Sequence, residues 1–154
     1  MIFLIWEILK WAAKISDLNT IVKFIETIKD IETYAEDIIK AVEKAIVRFK
    51  NFLYDRKIYE KIALIVKNKS LKEEIRRSGV EILLNETLSI IDIQKANIYR
   101  LGNELVQEDA MLEAGLRLLS FSSNDLALKK IQEIMAKTKD EEIIELCKEV
   151  LTQS

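Results

Sequence analysis

Proline is absent from the 154 residues of this chain, and glycine occurs only at Gly79, Gly102 and Gly115. These two residue types supply most helix ends and most of the tight turns between strands. A β-sheet domain of this length would need many more of them, because each hairpin requires a turn. Apolar residues make up 49% of the chain, enough to build a folded core. The sequence therefore predicts an all-α protein.

Helix start and stop signals divide the chain into about six to eight helices, which we expect to form an irregular multi-helix bundle. The length fits a single helical domain over residues 1–154. Three parts are expected within it: an apolar N-terminal helix over residues 1–15, a long helical segment over residues 18–67, and a bundle or hairpin half over residues 70–154.

Individual residues mark where the helices of the second half begin and end. Gly79 and Gly102 are expected to lie just after helix ends, the position at which glycine is most common. Ser70, Ser122 and Thr138 each precede an acidic residue by three positions, which is the spacing of a capping box and marks a helix start. The last two helices are expected to run to about residue 137 and about residue 151.

Apolar residues recur at heptad spacing over residues 18–53. This pattern indicates one long helix, or two helices jointed near Asp30, with the apolar seam packed against a partner. The partner is expected to be another protein or a second copy of the chain, which would make the protein a homo-oligomer. The predicted interface residues on the first helix and the seam are Phe3, Trp6, Trp11, Ile21, Ile25, Ile28, Ile39 and Ile46.

The N-terminal helix carries only three charged residues, Glu7, Lys10 and Lys14, and they form one narrow stripe. At about 21 Å it is too short to cross a bilayer core of about 30 Å. Three interpretations remain: the most buried helix of the bundle, a docking surface for a protein partner, or a helix lying in a membrane interface.

Histidine is absent, which excludes imidazole-based hydrolases and the common zinc enzymes. No glycine-rich phosphate-binding motif occurs, and carboxylate pairs such as Glu141 with Glu145 have a spacing that solvated helix faces produce by chance. We therefore predict no catalytic residue, no metal ligand and no cofactor. The lone Cys147 is interpreted as a small buried apolar residue, and it fits a reducing compartment and a cytoplasmic (intracellular) location.

Positive charge is concentrated between Arg48 and Arg77, where ten Lys or Arg face four Asp or Glu. If these side chains share a face they can contact a polyanion such as nucleic acid, with Tyr54 and Tyr59 available to stack on bases. Solvated side chains, or complementarity to the acidic C-terminal half, are the other interpretations. The possible polyanion contacts are Lys57, Lys61, Arg76 and Arg77.

Together these patterns favour a non-enzymatic helical module for protein–protein interaction or oligomerisation that presents an apolar helix face. The first alternative is a membrane-associating or membrane-permeabilising bundle that acts through the N-terminal helix. The second alternative is nucleic-acid binding through the basic stretch, residues 48–77.

Overall fold

Helices make up the architecture of the described residues. A computed structural model of the protein describes residue 25 and residues 27–48, 56–84, 92–122 and 124–152. The described α-helices are α1 (Ile31–Arg48), α2 (Arg56–Lys67), α3 (Glu73–Leu83), α4 (Asp92–Leu105), α5 (Leu112–Ser122), α6 (Asp125–Lys137) and α7 (Glu141–Thr152). A short 3₁₀ turn, Asp109–Met111, precedes α5. These seven helices, with no strand in the described residues, confirm the all-α prediction.

The chain divides into two compact units, residues 1–83 and residues 84–154. Helices α1, α2 and α3 belong to the N-terminal unit, and α4 to α7 belong to the C-terminal unit. Helices α2 and α3 pack against each other within the N-terminal unit. Their shared apolar face keeps them in one unit.

Each of the three described helices of the N-terminal unit packs against the other two. On α2 the buried residues Ile58, Ile62, Ile65 and Val66 recur every three or four positions and so form one stripe. Residues of α1 such as Ile38 are fully buried as well. Each such side chain contributes about 1.5–3 kcal/mol when it leaves water. This core holds the three helices together.

A non-helical connection at residues 28–30 precedes α1. Asp30 caps the helix: its Oδ2 accepts a hydrogen bond from the Thr33 hydroxyl at 2.7 Å, and its Oδ1 accepts one from the Thr33 backbone N–H at 3.1 Å. These bonds stabilise the charged carboxylate and hold the pKa of Asp30 below its usual value. The structure therefore excludes one straight helix over residues 18–53 and interrupts that segment beside Asp30.

Gly79 lies inside a helix, so the prediction that it follows a helix end is wrong: α3 continues to Leu83. A Cβ atom on Gly79 would lie 2.7 Å from Cγ2 of Val66 and 3.7 Å from Cγ2 of Ile62, both on α2. Because carbon atoms do not approach to 2.7 Å, a larger residue at position 79 would require the side chain of Val66 or the helix α3 to shift.

The predicted capping box at Ser70 is also wrong. The hydroxyl of Ser70 donates a hydrogen bond to the carboxylate of Glu32 at 2.9 Å, and α3 begins at Glu73, three residues later. Ser70 therefore joins the α2–α3 connection to the first turn of α1.

The described helices of the C-terminal unit form two packed pairs. Helix α4 packs against α5, and helix α6 packs against α7. The two pairs are joined by contacts of α4 with α6 and of α5 with α7. The core between them contains the buried residues Leu116, Leu119, Ala127, Ile131, Cys147 and Val150. Groups near α5 and α7 are thereby held in fixed relative positions.

Gly102 and Gly115 face each other where α4 and α5 meet. A Cβ atom on Gly102 would lie 3.0 Å from the carbonyl oxygen of Gly115, and one on Gly115 would lie 2.8 Å from the backbone nitrogen of Val106. The two helices thus touch through their backbones. The prediction that Gly102 ends a helix is wrong, since α4 continues to Leu105.

The last two helices lie where the sequence placed them, α6 ending at Lys137 and α7 spanning Glu141–Thr152. Their caps differ from the prediction. Asn124 Oδ1 accepts from the backbone N–H of Ala127 at 2.7 Å, and Asp140 Oδ1 accepts from that of Glu142 at 2.9 Å. Asn and Asp are among the strongest N-cap residues, and both stand directly before the helices that they cap.

We expect Gly115→Ala to lower the free energy of unfolding by about 2 kcal/mol, because the added methyl group must push backbone away from backbone. Alanine would otherwise raise helix stability by about 1 kcal/mol over glycine. Chemical denaturation measures the change, with the exposed Gln132→Ala in α6 as a control that stays near the parent protein. A Gly115→Ala variant as stable as its parent would contradict the backbone contact.

Candidate functional site

Three of the predicted interface residues lie in the described part of the chain, and all three are buried in the N-terminal unit. Ile25 is 0% exposed, Ile28 6% and Ile39 4%. Since buried side chains cannot contact a second molecule, these residues hold the N-terminal unit together. Four other predicted interface residues, Phe3, Trp6, Trp11 and Ile21, fall outside the described residues. Ile46 lies in α1, but its side chain is not described.

Arg76, one of the four predicted polyanion contacts, is buried at 3% exposure. Its Nε donates a hydrogen bond to the backbone carbonyl of Val66 at 2.7 Å. Val66 lies in the last turn of α2, where carbonyl groups lack partners within the helix and attract a cation. Arg76 therefore caps α2 from the neighbouring helix α3.

Two further basic residues are engaged within the N-terminal unit. The ammonium group of Lys61 donates a hydrogen bond to the backbone carbonyl of Ile28, which ties α2 to the connection before α1. Arg77 forms an exposed ion pair with Glu73 on the preceding turn of α3, at 3.3 Å. The side chain of Lys57 lies outside the described residues. Arg76, Lys61 and Arg77 thus have separate structural partners within the N-terminal unit.

Tyr59 is 3% exposed and lies in the core of the N-terminal unit, so its ring cannot stack on a base. Its hydroxyl has no hydrogen-bond partner in the part of the chain that the structure describes. Burial raises the pKa of this hydroxyl far above its ordinary value, so the group stays neutral.

Cys147 is fully buried in the C-terminal core, and burial raises the pKa of its thiol. The sequence interpretation of a small buried apolar residue matches this position. Within residues 25, 27–48, 56–84, 92–122 and 124–152, no group of three or more Cys, Asp or Glu side chains is arranged to hold a metal ion. Over the same residues, no helix has the length and apolar character needed to cross a membrane.

An open groove of about 1040 Å³ lies in the C-terminal unit, between the start of α5 and the first three-quarters of α7. Its apolar lining consists of Leu112, Ile143 and Leu146, which pack against the core from one side and remain partly exposed on the other. Carboxylates form the rest of the lining: Asp109, Glu113, Asp140, Glu141, Glu142, Glu145 and Glu149.

The amphipathic pattern of α7 positions the carboxylates. Cys147 and Val150 point into the core, and Leu146 lies at the edge of that buried face. Glu142, Glu145 and Glu149 follow at i, i+3 and i+7, which places them in one stripe beside the buried face. Because α5 packs against α7, the residues at the start of α5 form the opposite side of the groove.

The negative charge of this groove is almost unbalanced. Glu145 forms an exposed ion pair with Lys148 at 3.6 Å. The described lining itself contains no Lys or Arg. Asp140 is engaged as the cap of α7. The groove can therefore attract a cation-bearing molecule over roughly one Debye length, about 8 Å at physiological salt.

The sequence contained the charges of this groove but not their arrangement. The excess of acidic residues after residue 78 and the spacing of Glu141 with Glu145 were both visible, and both are also typical of a solvated helix face. What makes a groove is the approach of Leu112 and Glu113 to α7, some thirty residues further along the chain. Periodicity within one helix carries no signal of that approach.

Comparisons of the chain with protein-family models, with curated proteins and with solved structures give no match.

We expect Arg76→Met to lower the free energy of unfolding by about 2 kcal/mol, because the carbonyl of Val66 would lose its partner inside the protein. Arg77→Met removes the same charge from an exposed pair with Glu73 and should cost at most about 0.5 kcal/mol. Urea unfolding of the two variants measures the difference. Equal losses would show that Arg76 does not cap α2.

We expect Tyr59→Phe to raise the free energy of unfolding by about 1 kcal/mol, because it removes a buried hydroxyl that has no described partner. Thermal or urea unfolding measures the gain. The control is Tyr99→Phe in α4, where the tyrosine is only partly buried. This variant should change the free energy of unfolding little. A clear loss of stability in Tyr59→Phe would mean that the hydroxyl has a partner.

Proposed function

We propose that this chain is a non-enzymatic protein-interaction module and that its contact surface is the groove between α5 and α7. The observation that carries the proposal is an apolar lining that remains partly exposed inside a concave surface rimmed by carboxylates. Exposed apolar side chains rimmed by polar residues are typical of protein–protein contact surfaces.

The apolar lining supplies the affinity in this proposal. Leu112, Ile143 and Leu146 already have one side fixed against the core, so a partner that covers the other side orders few additional side chains. Each Å² of apolar surface that the partner removes from water contributes about 25 cal/mol before the costs of association. A rigid, preformed apolar surface therefore favours docking of a second apolar surface.

The proposal keeps the class of function that the sequence favours and moves the contact to another surface. Ile25, Ile28 and Ile39 are buried, so a seam that includes them is a poor interface. Self-association or membrane contact through residues 1–15 concerns residues outside the described ranges. Nucleic-acid binding loses support, because Arg76 and Lys61 are engaged with backbone carbonyls.

Site-specific photo-crosslinking in cells of the native source tests the proposal. The photoreactive residue p-benzoylphenylalanine replaces Glu113 at the rim of the groove, and in a matched variant it replaces Glu133, an exposed residue of α6 outside the groove. We expect a discrete protein adduct at position 113 that is missing at position 133, with the crosslinked peptide identified by mass spectrometry.

An adduct with a different protein would support the interaction function. An adduct of twice the chain mass would support it as well, and would identify a second copy of the chain as the partner. The absence of any protein adduct at position 113, or the same set of adducts at both positions, would overturn the proposal.

A further inference from the structure

Only part of the acidic stripe on α7 is favourable to its own helix: Glu141 and Glu142 lie in the first turn, where negative charge is favourable, and the later carboxylates do not. Glu141 with Glu145, and Glu145 with Glu149, are like charges at i and i+4, and such pairs destabilise a helix. Glu149 also lies in the last turn, where the helix dipole disfavours negative charge and where α7 has no basic residue. Glu145 is offset in part by its ion pair with Lys148. Helix stability therefore does not account for Glu149 at the end of the stripe, and a cationic partner would compensate its charge.

Carboxylates reach the groove from both of its sides. Asp109 and Glu113 belong to the 3₁₀ turn and the start of α5, and Glu142, Glu145 and Glu149 belong to α7. The apolar residues Leu112, Ile143 and Leu146 are part of the same lining. A complementary ligand therefore needs an apolar stripe with positive charges on both flanks.

The dimensions of the groove suit a helix. From Asp140 to Glu149 the groove extends along α7 for about 13 Å, which is about two and a half helical turns. A helix presents apolar residues at i, i+3, i+4 and i+7 on one face and places its flanking residues toward both walls. An extended peptide alternates its side chains between two opposite faces, so its charges would point away from the groove when its apolar residues point in.

We infer that the groove binds an amphipathic helix of a protein partner whose apolar stripe is flanked by Lys or Arg. This inference rests on the proposed function and specifies the chemistry of the partner at the same site. The apolar stripe covers Leu112, Ile143 and Leu146, and the flanking cations pair with the carboxylates on α5 and α7. Lysine and arginine stems also cover apolar surface at the edges of the groove.

A model peptide tests this chemistry directly. The probe is a fluorescein-labelled peptide of about 18 residues, made of Leu and Lys with Leu at i, i+3, i+4 and i+7. The full-length protein is titrated into it and fluorescence anisotropy is recorded. Two comparison peptides are used: one with the same composition and the Leu residues scattered around the helix, and one with Glu in place of every Lys. We expect the first peptide to bind at least about tenfold more tightly than either comparison peptide.

Matched charge variants locate the binding surface. Glu145→Gln with Glu149→Gln removes two carboxylates from the groove, and Glu104→Gln with Glu133→Gln removes two exposed carboxylates of the same unit outside it. We expect the groove variant to bind the Leu-Lys peptide about tenfold more weakly and the control variant to match the parent protein. Raising the salt concentration from about 50 to about 300 mM should also weaken binding. Circular dichroism confirms that both variants are folded.

Three results would overturn the inference: equal binding of the scattered peptide, equal binding of the Glu peptide, or equal weakening by the groove and control variants. Equal binding of the scattered peptide would mean that charge alone explains the binding, and equal binding of the Glu peptide would mean that apolar contact alone explains it. Equal weakening by both variants would mean that the general surface charge of the protein explains it. Absence of binding by the Leu-Lys peptide, together with a specific heterologous adduct at position 113, would overturn the basic-helix inference and leave the proposed function standing. Absence of that adduct as well would overturn both.

Discussion

Backbone contact between Gly102 and Gly115 is the constraint on which the C-terminal unit depends. It sets the distance between α4 and α5 to less than any side chain would allow, and α6 and α7 pack on the pair so formed. The start of α5 is thereby held beside α7, which is the juxtaposition that forms the acidic groove. A helix pair held at a larger separation would present α5 to α7 differently and change the shape of that surface.

Fold class and the extents of α6 and α7 were predictable because they depend on local properties. Without proline, and with apolar residues at helical spacing, the chain has no alternative to helix, and the limits of α6 and α7 followed from polar residues beside apolar runs. The glycines were misinterpreted because a glycine after a helix and a glycine at a helix crossing look alike in a sequence. Only the neighbour in space, Val66 for Gly79 and Gly115 for Gly102, distinguishes them.

The same limit applies to the charged residues. Arg76 and Arg77 are adjacent in the sequence but about 100° apart around α3, so one is buried against the carbonyl of Val66 and the other is exposed beside Glu73. A count of basic residues treats them as equal. On α7 the acidic stripe was visible in the sequence, but its meaning depends on Leu112 and Glu113 on the other side of the groove. Candidate sites were therefore less predictable than helices.

Because Cys147 is completely buried, the reactivity of its thiol can report local opening of the protein. It is the one cysteine of the sequence, and it lies between Leu116, Ile131 and Val150 in the core of the C-terminal unit. Reaction of its thiol with an alkylating reagent requires α7 to separate from that core. The rate of alkylation in the native protein therefore measures how often the core around Cys147 opens.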